Sequence, residues 1–545
     1  MSLKGIDVTR PGIRAFALRL VLCLMSPLLA SSSSFAANPL KTPSELTKAD
    51  EERGIFTNYD ISNVKIPTFD ALLLDGRVYE PKLSAYSGRR PAIIFTNSWT
   101  LGEYEYETQA RKFAARGYIV LSYSSRGFGG SEGYVTVGGP NDVSDFTTVV
   151  DWLEDNTRVD VANIGMAGVS LGGGLSLLAL ANEPRIKTAA SLSGWGNLEQ
   201  SLYRNETIQK TWMKILISSG TLLGHLDPDL HEQVVNMENR TDIVATRAWA
   251  ARRSVDTLIQ QINDRKAPVF LENSYLDALF PPAQIRPFYD SLEGVKRMIA
   301  DEGIHASSSI SGLLGLKSEL WDELHDWMDH WLVDSGRPIK TGITFRTRGE
   351  TGTYQSFPEL NYRSTPFKPL KPTETDAVSG RSILSFQGNR DSGATSGIPI
   401  ISDSLDSYIN VPVKKKIADI DERYAAVFET TALTQKLKVR GSPRLSFTLM
   451  PHTSPVTLVG YLYDVDRNGV GALVAFSVMS VQDPNAAPND VEFDLNMTAF
   501  EVPKGHKLVV ALDTVDPLYT GATNKDYKVS LAADPALSLE LPLVP

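Results

Sequence analysis

Gly168-Val169-Ser170-Leu171-Gly172 constrains the fold of this chain more than any other stretch. An apolar run, Ile164–Ala167, leads into it, and helical periodicity starts at Ser170. That is the strand–turn–helix setting of a nucleophile elbow. A serine in such a turn is strained, and side chains beside it would collide with the adjoining strand and helix, so glycine is required nearby. The turn raises the Ser170 hydroxyl above a sheet and aims the Leu171 backbone N–H at a developing oxyanion. Without the strand and helix, Ser170 would simply cap a helix. With them, a serine nucleophile is the expectation.

The surrounding pattern predicts an α/β fold. From about residue 60 to 337, short β-rich runs alternate with amphipathic stretches, as βαβ units on a mostly parallel sheet do. Strands are expected over Pro91–Thr96, Tyr118–Tyr123, Ile164–Ala167, Thr188–Leu192, Pro268–Tyr275 and Val295–Ala300. The β runs stop over about 196–265, where Trp212, Trp249 and Leu258 stand at helical spacing, so a helical cap insertion is predicted there. Acyl binding needs apolar walls, which makes Trp195, Tyr203, Trp212 and Trp249 candidates for contact with substrate. A length of 545 residues exceeds what one core usually holds. Gly336-Arg337-Pro338 is the expected boundary, with an all-β jelly-roll sandwich over 338–545, whose strands include Arg444–Leu449, Val456–Tyr463 and Lys507–Leu512.

A serine nucleophile needs a base, and the base needs an orienting acid. In this kind of fold the chain order is Ser, acid, His, with acid and base in loops after the last strands. Asp277 follows the strand Pro268–Tyr275, and His305 follows Val295–Ala300. The other histidines lie in the cap (His225, His231), on a late helix (His325, His330) or in the β region (His452, His506). Asp301, Glu302 and Glu272 are the competing acids, and loop placement favours Asp277.

Charge and cysteine content remove other classes. A net charge of −10, with no basic block longer than Lys414–Lys416, argues against nucleic acid as a partner. The single cysteine, Cys23, excludes a disulfide framework and a Cys-based zinc site. Lys4, Arg10, Arg14 and Arg19 precede the apolar run Leu20–Ala30, and Ser34-Phe35-Ala36 offers a cleavage site, so residues 1–36 read as a signal peptide and 37–59 as a linker. The apolar run is too short to span a bilayer, so stable membrane insertion is not expected after cleavage. The expected location is periplasmic or secreted. Asp464-Val-Asp466-Arg-Asn468-Gly469 matches the start of a calcium loop, but Ala475 stands where the bidentate Glu belongs, and a hairpin turn is expected instead.

Arg126-Gly127-Phe-Gly129-Gly130-Ser131-Glu132-Gly133 resembles the RG-x-G-x-SEG segment of Xaa-Pro dipeptidyl-peptidase-like and cocaine-esterase-like serine hydrolases. Asp151-Trp152-Leu153, Gly165–Ser170 and Asp277-Ala-Leu-Phe280-Pro281 resemble the same family's approaches to nucleophile and acid. So do Asp464-Val465 and Lys504-Gly505-His506 in its C-terminal jelly roll. The resemblance implies hydrolysis of a small-molecule or peptide acyl substrate through an acyl-Ser170 intermediate, without metal or organic cofactor. An ester or amide is the leading substrate class. An Xaa-Pro dipeptidyl aminopeptidase, a β-lactam-type acylase and a non-catalytic binding protein retaining the fold are the alternatives. Where many members carry a tyrosine as oxyanion donor, this chain reads Asn97-Ser98-Trp99-Thr100. Trp99 therefore either donates through its indole or backbone N–H or walls the pocket.

Overall fold

The computed structural model describes residues 58–544, apart from 334–335, 349–353, 357–360, 400, 403–405, 407–410 and 535–536. The expected signal peptide and most of the linker lie outside the described residues.

Ten strands form the first sheet: β1 (Tyr59–Pro67), β2 (Leu73–Pro81), β3 (Arg90–Thr96), β4 (Ile119–Tyr123), β5 (Val159–Val169), β6 (Ile186–Leu192), β7 (Val269–Ser274), β8 (Lys296–Asp301), β9 (Gly342–Arg346) and β10 (Tyr354–Ser356). Their order is β1-β2-β4-β3-β5-β6-β7-β8-β9-β10. The central seven are parallel, whereas β1, β2 and β10 pair antiparallel at the edges. β3, β4 and β7 are buried almost throughout, which is why each carries an apolar run, Ala92–Phe95, Ile119–Leu121 and Val269–Leu271.

The helices follow as α1 (Glu107–Ala115), α2 (Pro140–Asn156), α3 (Leu171–Asn182), α4 (Leu198–Leu202), α5 (Lys210–Leu223), α6 (Pro228–Asn239), α7 (Ile243–Ala251), α8 (Ile259–Asp264), α9 (Pro282–Ser291), α10 (Ser307–Leu313) and α11 (Glu319–Val333). α1 and α11 cover one face of the sheet through Phe113, Trp321 and Trp327. α2, α3, α8 and α9 cover the other through Phe146, Leu177, Ile262 and Phe288. α3 is buried along Leu171–Ala181, as expected of a helix apolar on every side. α4 to α7 lie between β6 and β7 and form the cap.

One expected border is corrected. β9 and β10 come after Pro338, yet β9 pairs in parallel with β8, Arg297 opposite Gly342 and Ala300 opposite Phe345. Gly336-Arg337-Pro338 thus turns the chain from α11 into another strand of the same sheet. Glycine and proline punctuate either kind of junction.

Beyond β10, a nine-stranded and a six-stranded antiparallel sheet face each other as a jelly-roll-class sandwich. Phe447, Leu458, Val510 and Leu531 fill its core. The turn at Asp466–Gly469 closes the hairpin that pairs Val456–Val465 with Val470–Val481, and Asp466 Oδ1 accepts from the backbone N–H groups of Asn468 and Val470. This domain grips the cap around residues 204–211 and again at Arg240, which donates to Gln482 and to the Gly521 carbonyl. Arg204 donates to Asn496 Oδ1 at 2.6 Å and to the Asp494 carbonyl at 3.1 Å. Asn205 donates to the Val478 carbonyl at 2.9 Å, and Thr520 N–H to the Ile208 carbonyl at 3.0 Å.

Candidate active site

Ser170 sits between β5 and α3 with φ 57° and ψ −116°, a conformation that costs free energy in any residue with a side chain. Close packing permits it. A Cβ on Gly168 would strike the Gly172 backbone, and one on Gly172 would strike the Thr96 carbonyl. The turn is also tied down on both sides. Ser170 N–H donates to the Leu192 carbonyl at 2.8 Å, and Val169 N–H donates to the Tyr106 hydroxyl at 2.8 Å. Ser98 Oγ lies 2.9 Å from the Val169 carbonyl and 2.6 Å from Glu105 Oε1. Burial pushes the Glu105 carboxyl up to about 7. Sequence reasoning missed Ser98, Glu105 and Tyr106, because no motif marks them.

The structure brings Ser170, His305 and Asp277 together. Ser170 Oγ is 2.7 Å from His305 Nε2, and His305 Nδ1 is 2.7 Å from Asp277 Oδ2. The other Asp277 oxygen accepts from the Leu279 and Phe280 backbone N–H groups at 2.8 and 2.9 Å, which fixes the carboxylate in a turn just beyond β7. The acid loop and the histidine loop extend the β7–β8 pairing: Tyr275 N–H donates to the Asp301 carbonyl and Leu276 N–H to the Gly303 carbonyl. The imidazole lies edge-on to Trp212 and Phe280, with ring centroids 5.7 and 5.4 Å away, which keeps most water from it. A hydroxyl, an imidazole and a buried carboxylate in this order can pass a proton from serine to histidine while the carboxylate steadies the resulting imidazolium.

The competing acids point elsewhere. Asp301 pairs with Arg346 at 3.3 Å and caps the Glu302 N–H. The Glu272 carboxyl takes hydrogen bonds from Ser308 at 2.7 Å, Ser274 at 3.1 Å and Ser193 at 3.2 Å. Burial, reinforced by the neighbouring Asp301 carboxylate, pushes Glu272 up to about 8. Ser193 Oγ in turn accepts from the Ala306 N–H, so Glu272 supports the segment after His305 through Ser193 and Ser308.

The expected oxyanion donors divide. Leu171 opens α3, so its N–H has no carbonyl one turn earlier to bond. The Trp99 indole is corrected as a donor: its Nε1–H is spent on the Leu216 carbonyl at 3.1 Å and on Ser219 Oγ at 3.2 Å, both from α5. What Trp99 retains is its backbone N–H, which has no acceptor among the described residues. Its ring walls the pocket.

That pocket is a cavity between the sheet edge and the cap, reaching from Ser170, Leu171 and Trp99 into α4–α7. Trp195, Tyr203 and Trp249 line it. Trp212 does not; it packs on His305 instead. The Arg126 segment is a brace below the cap. Buried Arg126 bridges Asp145 at 2.5 Å and Asp70 at 2.7 Å, while Gly127 and Val135 exchange backbone bonds with His225 at the end of α5.

Comparison with known proteins places the chain in a family. Residues 70–307 match the model of the X-Pro dipeptidyl-peptidase (S15) family, and residues 350–536 match the X-Pro dipeptidyl-peptidase C-terminal non-catalytic domain. The chain belongs to the S15 family. Two relatives, both named "Putative Xaa-Pro dipeptidyl-peptidase", come from Bacillus anthracis and Streptomyces avermitilis. The first is 29% identical, covering 84% of this chain and 79% of its own length. The second is 22% identical over 65% of this chain, and the match spans 53% of that protein's length. A solved CocE/NonD family hydrolase from Staphylococcus aureus superposes with a TM-score of 0.64 at 12% identity, covering 89% of this chain and 94% of its own. This S15 family member is therefore a hydrolase with an α/β domain followed by an all-β domain.

Proposed function

We propose that this S15 hydrolase cleaves a carboxylic ester or amide through an acyl-Ser170 intermediate, with His305 as base and Asp277 as its orienting acid. The observation that carries the reading is the pair of 2.7 Å contacts linking Ser170, His305 and Asp277 at the mouth of a cavity. His305 takes the hydroxyl proton as Ser170 attacks the carbonyl, and the backbone N–H groups of Leu171 and Trp99 hold the oxyanion. The same imidazole then protonates the leaving group, and water repeats the sequence to free the acid. The names of the relatives support a second reading, release of Xaa-Pro dipeptides. The basic and apolar leader over 1–36 supports export, which N-terminal sequencing of a periplasmic or medium fraction tests. A fluorophosphonate probe tests the chemistry. Stoichiometric labelling of Ser170 is expected, and a folded, unlabelled protein with no ester or amide turnover would remove the proposal.

A further inference from the structure

The geometry points to a substrate whose acyl half is an uncharged aliphatic chain of medium to long length, laid into the cap cavity; this rests on the reading of Ser170 as nucleophile. The cavity extends from Ser170 and Leu171 to side chains of all four cap helices, farther than an acetyl group reaches. Leu202, Met213, Leu216, Ile217, Val234 and Met237 supply much of its wall.

Apart from Ser170, each polar side chain on that wall is already engaged by the protein. Gln233 donates to Asp229 Oδ1 and accepts from Thr246, both at 2.9 Å. The Trp249 and Trp195 indoles donate at 2.7 Å to Asp229 Oδ2 and to the Arg253 carbonyl. The Tyr203 hydroxyl donates to Glu206 at 3.0 Å, and the Trp99 indole is held by α5. A polar group on the acyl chain would lose its water and find no replacement partner.

Charge recognition is closed in the same way. An α-ammonium group, as on an aminoacyl ester or the free end of a dipeptide, needs a carboxylate. Glu199 is the carboxylate on the wall, and it lies 2.8 Å from Arg247 Nε. A substrate cation at Glu199 would have to break that pair or crowd against Arg247. A terminal substrate carboxylate fares no better, because Arg247 also holds Glu206 at 2.8 Å. The two charged side chains on the wall, Glu199 and Arg247, are thus already engaged with each other. Apolar contact is what remains to recognise an acyl group.

The test is a p-nitrophenyl ester series from acetyl to dodecanoyl, run beside Ala-Pro-p-nitroanilide and an octanedioic monoester. For the protein, kcat/KM should rise about fourfold per added methylene until the cavity is full. The monoester, with a carboxylate in place of the terminal methyl, should fall at least about 100-fold below octanoyl. Ala250→Phe, which fills part of the cavity, should lower the octanoyl-to-acetyl ratio at least about tenfold. Val234→Phe serves the same purpose should Ala250→Phe not fold. Fluorophosphonate labelling of Ser170 separates the failures. If Ser170 labels and esters turn over, but chain length has no effect or the Ala-Pro anilide is preferred, the acyl inference is overturned and the nucleophile stands. If Ser170 does not label and no ester turns over, both fall.

Discussion

The proposed proton relay and the chamber beside it are built in opposite ways. Ser170, Asp277 and His305 project from loops beyond β5, β7 and β8; Ser170 N–H is tied to the Leu192 carbonyl, the Asp277 carboxylate to the Leu279 and Phe280 N–H groups, and the acid and histidine loops pair with each other where the parallel sheet ends. The chamber hangs on four cap helices whose lining is mostly aliphatic, and part of its outer wall is gripped by the second domain at Arg204–Ile208. Chemistry needs positions held to a fraction of an ångström, which strand ends supply. Apolar recognition needs area and shape, which packed helices supply. On the proposed function, what is done to the carbonyl and which acyl group is chosen are therefore separable.

Ser170→Ala should separate them most sharply. Turnover should fall on the order of 10⁴–10⁶, while a long-chain alcohol should still protect the protein against thermal unfolding; loss of both together would deny the separation. Asp277→Asn should lower kcat by up to about 10⁴ by stranding the wrong imidazole tautomer. Asp301→Asn, measured on the same ester, should do far less, because its carboxylate is bound to Arg346.

Glu272 probes the support beneath the relay. Its carboxyl is pushed up to about 8 in the folded protein, against about 4.3 for an unfolded chain, so folding favours its protonated form. That stability is complete below the unfolded value and is lost as pH rises through about 8. Glu272→Gln should therefore flatten the decline in unfolding free energy between pH 5 and 9, measured by denaturant titration, by on the order of 3 kcal/mol. A parallel decline in both proteins would refute the assignment. Arg204→Ala should have the smallest effect, about 2 kcal/mol of stability from two lost charged hydrogen bonds. It should also raise KM for a long-chain ester more than it changes kcat. An equal fall in kcat would mean that the brace serves the relay and not the chamber.

The same division governs what could be read from the sequence. Ser170 announces itself through the glycines that its strained turn requires, and Asp277 and His305 through their places after apolar strands. The edge strands β1, β2 and β10 carry mixed polar residues and no unbroken apolar run, and β9 follows a Gly-Pro turn that equally marks a domain border. Pairing with β8 decides the matter, and pairing is a tertiary fact. The Trp99 indole was open to two roles because its acceptors lie on α5, 117 and 120 residues away. Tyr106 and Ser98, which hold Val169, carry no local signal either; they look like ordinary residues until α1 and the loop after β3 are packed under the elbow. Nor does spacing show that Glu199 and Arg247 pair with each other, since α4 and α7 must first meet.

The most direct test of the account is to mix the protein with octanoyl p-nitrophenyl ester, quench in acid within the first turnover, and map the adduct by mass spectrometry. The account predicts an octanoyl group on Ser170, accumulating faster than an acetyl group offered at the same concentration. Octanoyl on any other residue, or hydrolysis with no covalent intermediate under conditions where deacylation is rate-limiting, would contradict it.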